Sequence, residues 1–339
     1  MMSKRAVLLV NLGSPEKPEV KAVRSYLNQF LMDAYVIQLP WWLRRLVVSL
    51  LVLPTRPESS TKAYQSIWLP TGSPLIVISN QLREKVQAQL SIPIEMAMRY
   101  GQPSIEKKIL TIAKSKAIEE ILFIPLYPHF AQSTVTTSIR EAQRVIKKHK
   151  LTIKLSVVDP FFENPAYITA LVNSARPYLE KPYDHIVFSY HGLPESHLLK
   201  LDVSGQHCLQ QADCCNTNSS FQKSCYRHQV LRTTECFAAE AGLLPEQYSV
   251  AFQSRLGRAK WLGPNTEDRL RDLAAEGCKK VLVICPAFVT DCLETLEEIA
   301  IRGQDVFKEA GGDSLTLIPC LNDCPEWVQV LKSWSSQSL

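Results

Sequence analysis

The feature that most constrains how this chain folds is one order of elements met twice. Eight short strand-like runs, most of them rich in Val, Ile, Leu and Phe, each end in turn residues and give way to a stretch with helical periodicity. The first four are AVLLVNLGSP, EMAMRYGQPS, ILFIPLYPHFAQS and LSVVDPFFENP; the later four are HIVFSYHGLPES, YSVAFQSRLG, VLVICPAFVTD and LTLIPCLND. Continuous apolar strands that alternate with helices define a parallel sheet, because parallel neighbours need a crossover. The third run of each half passes through a Pro into a polar turn and a helix, and the fourth repeats as VVDPFFENPAY and LIPCLNDCPEW. The pattern predicts an α/β protein of two similar Rossmann-like domains, 1–180 and 181–339, each with a parallel four-stranded sheet flanked by helices. Ligands of such sheets lie at the carboxyl ends of the strands, so the active cleft is expected between the halves.

Two segments interrupt the repeat, and both follow the first strand of a half. Residues 30–72, rich in Trp, Leu, Arg and Pro, are too long for a plain connection. Their LPWWLRRLVVSLLVLP string could grip a flat apolar ligand, dip into a membrane interface, or pack as a helix on its own domain. Its apolar run, Leu46 to Leu53, is far short of the ~20 residues of a spanning helix. The opening run after MMSKR, about six apolar residues, is short of a secretory segment and is expected to be a buried strand. The 38 basic and 33 acidic residues are mixed along the chain, which argues against a nucleic-acid partner. Neither GxGxxG nor GxxxxGK[ST] occurs, so nothing supports a nucleotide site.

The second insertion, about 204–228, carries Cys208, Cys214, Cys215 and Cys225 in the pattern C-x5-C-C-x9-C among polar residues. Thiolate ligation of zinc or an iron–sulfur cluster fits this pattern, and the lack of C-x2-C pairs favours the cluster; buried free thiols are the alternative. Cys236, Cys278, Cys285, Cys320 and Cys324 fall on helix or strand patterns and are expected to pack. A cytoplasmic setting, with reduced thiols, is expected.

Two places carry acid–base or metal chemistry. His191 stands where an apolar strand stops and Gly192 and Pro194 turn the chain. That position suits a base or metal ligand, or a histidine that hydrogen-bonds the turn. Asp291, Glu294 and Glu298 follow VLVICPAF at spacings of three and four, which predicts one face of a helix. A row of acids suits a hard cation, although Asp291 and Glu294 also read as an N-cap and its N3 partner.

The strings NLGSP, FLMDAYVIQLP, YQSIWLPTGSPL, RYGQPS, PLYPHFAQSTVTTS, SYHGLPES, FQSRLGRAKWLGPNTED and FVTDCLETL, in this order over nearly the whole chain, resemble the ferrochelatase family. The resemblance implies insertion of Fe(II) into protoporphyrin IX, the last step of haem synthesis, with release of two protons. It implies His191 and Glu294 as the catalytic pair facing the metal, with Asp291 and Glu298 on an iron or proton route. Asn11, Leu12, Arg99, Tyr100, Tyr127, Ser133, Thr134, Ser254 and Trp261 fall in motifs that line the family's cleft. Residues 30–72 match its apolar lip, linked to peripheral contact with the inner membrane. Some bacterial members resemble this chain in binding a [2Fe-2S] cluster on an internal cysteine segment, which here means Cys208, Cys214, Cys215 and Cys225. The chain departs from many relatives in Cys292, where a histidine often stands, and in Arg302, where some continue the row of acids. Competing readings are a chelatase for coproporphyrin or cobalt, and a non-catalytic haem or iron–sulfur carrier.

Overall fold

The computed structural model describes residues 4–211, 213–216, 220–255, 257 and 259–336. Each of the eight predicted runs forms a strand: β1 Arg5–Gly13, β2 Ile94–Tyr100, β3 Glu120–Pro125, β4 Lys154–Val157, β5 His185–His191, β6 Tyr248–Gln253, β7 Lys280–Ile284 and β8 Ser314–Leu317. They make two four-stranded sheets, ordered β2-β1-β3-β4 and β6-β5-β7-β8, and every pairing is parallel. In each sheet the first strand of the half is central, and the chain winds first to one side of it and then to the other. The order therefore reverses between β1 and β3, and again between β5 and β7. Loops that leave those strand pairs at their carboxyl ends diverge and open a crevice.

Burial on both faces explains the continuous apolar runs. In the first sheet Ala6, Leu8 and Val10 of β1 pack with Ile121 and Phe123 of β3 against Ile105, Ile109, Ala142 and Val145 of two covering helices, Ile105–Ala113 and Thr137–Lys148. The second sheet repeats the arrangement with Val187, Ala251, Val281 and Val283 against Leu270, Leu273, Ile299 and Phe307. Helices begin where the sequence supplies caps: Ser104, Asn164 and Asn265 each accept from backbone N–H groups of the turn they start. Gly13 at the end of β1 has φ +113°, and a Cβ there would lie 1.8 Å from the Tyr100 carbonyl oxygen, so only glycine fits.

The chain divides into two compact units whose bounds differ from the division at 180/181. One comprises residues 1–127, 131–159 and 322–339, and the other 128–130 and 160–321. The reason lies in the fourth βα step of each half. Helix Pro165–Leu179 packs with the second unit, where the Tyr167 hydroxyl donates to the Pro286 carbonyl at 2.7 Å. Helix Pro325–Ser336, with Trp327 wholly buried, packs against Pro74–Gln87 of the first unit, next to the Lys85–Asp323 ion pair. Short-range periodicity predicts each helix but not the sheet it covers.

The 30–72 segment folds into helix Trp41–Leu46, a π-helical stretch Val47–Val52 and helix Arg56–Ile67. Arg44 turns inward and donates to the Ile37 and Leu39 carbonyls, while Trp41, Trp42, Leu46, Leu50 and Leu51 face out, Leu51 at 72% exposure. Among the described residues no helix is long and apolar enough to cross a membrane.

Candidate functional site

His191 is the last residue of β5, and the acids 291–298 follow β7, so the two groups leave the strands that border the reversal in the second sheet. The His191 Nδ1 lies 2.6 Å from the Gly192 carbonyl oxygen. A carbonyl only accepts, so Nδ1 carries the hydrogen and, in the neutral ring, Nε2 holds the lone pair. The reading as a turn-bonding histidine and the reading as a base therefore coexist: one ring nitrogen serves each. Trp261 lies over Gly192, its Cε3 3.3 Å from where a Cβ would be, and Phe288 stands 6.3 Å from the imidazole, centroid to centroid.

The three acids occupy different settings, and Asp291 does not share their helix. Cys292 is the N-cap, a short α-helical turn covers Leu293–Thr295, and a π-helical stretch runs Leu296–Gly303. Asp291 precedes the cap and is buried, accepting from the Thr295 hydroxyl at 2.8 Å and the Cys320 N–H at 3.4 Å. Thr295 also accepts from the Cys292 N–H at 3.1 Å, so the N3 residue is Thr295 rather than Glu294. Glu294 and Glu298 are partly exposed. Glu298 accepts from Gln253 Nε2 at 3.0 Å, from the Ser254 hydroxyl, and from Arg302 at 2.8 Å. Arg302 thus neutralises the end of the acid row that it interrupts. Glu297, between them, is pushed above the usual carboxylate range by burial, opposed by Arg302 and reinforced by Glu298 and Glu294. π-helical turns are rare and concentrate at functional sites, and this one carries Glu297 and Glu298.

Gln253, a residue the sequence reading passed over, joins these parts. It ends β6 directly opposite His191 and is only 3% exposed. Its amide oxygen accepts from the Ser189 hydroxyl at 2.7 Å, and its amide nitrogen donates to the Glu294 carbonyl at 2.6 Å and to Glu298. Ser254 follows at φ +63°, a left-handed conformation costly for a residue with a Cβ, and its hydroxyl is held by Glu298. Sequence offered one signal only, the FQS string at a strand end.

The first sheet presents neutral groups at the matching places. Asn11 is buried near the end of β1, bonded to Ser79 and to the Leu12 N–H. Ser133 and Thr134 lie on another π-helical stretch, Gln132–Thr136, after β3. Tyr127 is buried, which raises its phenol. Arg99 and Tyr100 turn to Asp33: Arg99 pairs with its carboxylate at 2.5 Å, and the wholly buried Tyr100 donates to it at 3.0 Å. Thr137 completes the network at 2.5 Å, so these side chains brace the strand end. Asp33, also passed over, is the anchor of that group.

The four clustered cysteines are all buried. Residues 212 and 217–219 of their segment lie outside the described residues. Cys225 caps helix Tyr226–Ala241 and hydrogen-bonds with Cys215 and Cys208. Those bonds, with the His228 and Arg227 N–H groups, pull its thiol down to about 6, whereas burial and Cys225 push Cys208 up to about 12. Arg227 lies 3.7 Å from the Cys215 sulfur and 3.9 Å from that of Cys214. Among the described residues, no three His, Cys, Asp or Glu side chains are drawn together as a formed metal site.

Two reversing α/β sheets, with ionisable groups at one switch point and hydrogen-bonding groups at the other, define a protein of the two-domain chelatase fold. Solved structures of that fold align over almost the full length: SirB from Bacillus subtilis with Fe3+ has a TM-score of 0.56 at 14% identity, covering 98% of this chain and 94% of its own. A sirohydrochlorin chelatase, SirB from Bacillus subtilis subspecies spizizenii in complex with cobalt, scores 0.53 at 12% identity, covering 96% and 92%. The ferrochelatase family model matches residues 4–339. Ferrochelatases of Ectopseudomonas mendocina (57% identical, 98% of this chain and 97% of the relative) and Stutzerimonas stutzeri (54% identical, 99% of each) are similar end to end. The chain belongs to the ferrochelatase family. It is an enzyme, a lyase that inserts iron into a porphyrin.

Proposed function

We propose that the porphyrin is protoporphyrin IX, that Fe(II) is the metal, and that His191 accepts pyrrole protons while Glu294 meets the cation. The observation that carries this is the paired state of the His191 ring: Nδ1–H bound to the Gly192 carbonyl leaves Nε2 basic at the mouth of the reversal in the second sheet. Metallation replaces two pyrrole N–H protons by one Fe(II), so the site must take up two protons and strip the ion of water. Nε2 suits the first transfer. Glu294, with Glu298 held by Ser254 and Arg302 behind it, offers carboxylate oxygens that bind a hard cation and release it. Asp291, bonded to Thr295, supports that turn from below rather than reaching the ion itself. Contacts to the porphyrin are assigned to Asn11, Leu12, Tyr127, Ser133 and Thr134 in the first unit and to Ser254 and Trp261 in the second. Arg99 and Tyr100 act as braces.

Cys208, Cys214, Cys215 and Cys225 are assigned to a [2Fe-2S] cluster. Such a cluster, when bound, supplies a one-electron couple and a covalent tie across its segment. The donor set fits: four buried thiols, the thiolate of Cys225 at a helix N-terminus, and a guanidinium within reach of two sulfurs. The exposed Trp41, Trp42, Leu46, Leu50 and Leu51 suit peripheral contact with a membrane. Anaerobic turnover with Fe(II) and protoporphyrin tests the reading, with coproporphyrin and Co(II) as competitors. Catalytic protohaem formation, abolished in His191→Ala and reduced at least ~100-fold in Glu294→Gln, is expected. Stoichiometric binding without turnover would instead mark a carrier. Cluster absorption in the purified protein, absent in Cys214→Ser, tests the thiol assignment.

A further inference from the structure

We propose that Tyr226 is a positioning residue for His191, a proposal that rests on reading His191 as the proton acceptor. The His191 carbonyl and the Gly192 N–H are the two ends of one planar peptide unit. Both ends are held: the carbonyl accepts from the Tyr226 hydroxyl at 2.8 Å, and the N–H donates to the Gln253 carbonyl at 2.7 Å. The carbonyl of the following unit, Gly192, receives the His191 Nδ1–H at 2.6 Å. The imidazole is therefore oriented by a carbonyl whose own place depends on the peptide that Tyr226 and Gln253 clamp. Glycine at 192 makes the clamp necessary. A Cβ there would stand 3.0 Å from the Gln253 oxygen, so the close approach of β6 favours glycine, and glycine leaves the backbone soft.

Tyr226 is well placed to hold such a peptide still. It is the first residue of helix Tyr226–Ala241, is 6% exposed, and meets the His129 ring edge-on at 5.8 Å. His129 in turn bonds to Thr233 of the same helix at 2.9 Å and meets Tyr190 of β5 at 5.4 Å. The hydroxyl thus reaches the end of β5 from a ring that packing fixes on several sides. A solvent molecule bonded to the same carbonyl would satisfy it without fixing its direction. Catalytic geometry depends on that direction, since misplacement by an ångström costs up to ~100-fold in rate.

The experiment compares Tyr226→Phe, His191→Ala and the parent protein in turnover with Fe(II) and protoporphyrin. It also records 15N spectra of imidazole-labelled protein, in which the His191 resonances are identified by their loss in His191→Ala. For Tyr226→Phe, a fall in kcat of about tenfold is expected, with KM for the porphyrin within about twofold and a displaced His191 Nδ1 resonance. An inactive His191→Ala beside a Tyr226→Phe variant of unchanged kcat overturns the proposal, as does a slowed variant whose His191 resonances have not moved. An active His191→Ala overturns the reading beneath it instead. Should Tyr226→Phe fail to fold, fluorinated tyrosines at 226 carry the test on an intact ring. The Nδ1 shift must then follow the donor strength of the phenol, and a flat series overturns the proposal.

Discussion

Replacing Gln253 by glutamate changes one atom of the amide and turns a neutral hub into an acid. In the parent, Gln253 Nε2 donates to Glu298 at 3.0 Å and to the Glu294 carbonyl at 2.6 Å, in a place only 3% exposed. Two ionised carboxylates at that separation repel by ~5 kcal/mol at an effective dielectric of ~20. Arg302, 2.8 Å from the other Glu298 oxygen, and the Ser254 hydroxyl relieve part of this. A net cost of ~2–4 kcal/mol at pH 8 follows once that relief is allowed for. The new acid avoids the cost by keeping its proton, so its folded pKa rises above the ~4.3 of the unfolded chain. The sign is then fixed: below that value both states hold the proton and no electrostatic deficit exists. As pH rises the unfolded chain ionises first, and the variant loses stability until the folded pKa is reached. At low pH a residual deficit of ~1–2 kcal/mol remains, because the Glu294 carbonyl has lost its donor. Urea unfolding of parent and Gln253→Glu between pH 4.5 and 8 measures this directly. A deficit of the same size at both ends of the range would refute the buried contact between position 253 and Glu298.

Three further outcomes are expected. Gly13→Ala should lose at least ~3 kcal/mol, since its Cβ would sit 1.8 Å from the Tyr100 oxygen at φ +113°; thermal unfolding close to the parent's would contradict that approach of β1 to β2. Burial lowers the His129 imidazole to about 3, so the unfolded chain takes up this proton first and stability falls as pH drops below the ordinary histidine range. His129→Gln should therefore lose ~2 kcal/mol less than the parent between pH 7 and pH 5, read from urea midpoints. Leu50→Asp combined with Leu51→Asp should leave thermal unfolding within a few degrees of the parent, because both side chains are exposed, while abolishing co-sedimentation with anionic lipid vesicles. Undiminished vesicle binding would remove the membrane assignment of that face.

Much of the fold was legible because the inner strands are largely apolar runs stopped by turn residues. β5 illustrates this: six buried residues end at a histidine, and Gly192 and Pro194 follow. What was not legible is long-range. Nothing in PAYITALVN or PEWVQVLKS says which sheet the helix will cover, since both carry ordinary apolar faces, yet each joins the unit of the other half. The π-helical stretches were equally hidden. A 3.6-residue template reads Asp291, Glu294 and Glu298 as one face, whereas Thr295 bonds to Asp291 and to the Cys292 N–H and starts the helix after Asp291. Gln253 escaped notice because a neutral amide has no spacing signature; its importance comes from its bonds to Ser189, Glu294 and Glu298.

The internal repeat, set against what differs within it, also says where the chemistry divides. Both halves place a side chain near the end of their first strand and a π-helical stretch after their third, on the two strands that border the reversal. In the first unit these places hold Asn11, Ser133 and Thr134, none of which ionises. In the second they hold His191, Glu297 and Glu298, with Glu294 on the turn just before, and burial, reinforced by Glu298 and Glu294, pushes Glu297 above the usual carboxylate range. A framework used twice with its charges gathered at one copy is what a reaction with two reactants of opposite demand requires. A large apolar macrocycle needs shape and neutral hydrogen bonds, while a hydrated cation and two departing protons need groups that change charge. On the proposal above, the variants that abolish proton and metal handling should cluster after β5 and β7, and those that change porphyrin preference should cluster after β1 and β3. A steady-state survey of His191, Glu294, Asn11 and Ser133 variants with protoporphyrin and coproporphyrin separates the two groups. The division fails if Asn11 variants lose kcat without any change in the ratio of kcat/KM for the two porphyrins.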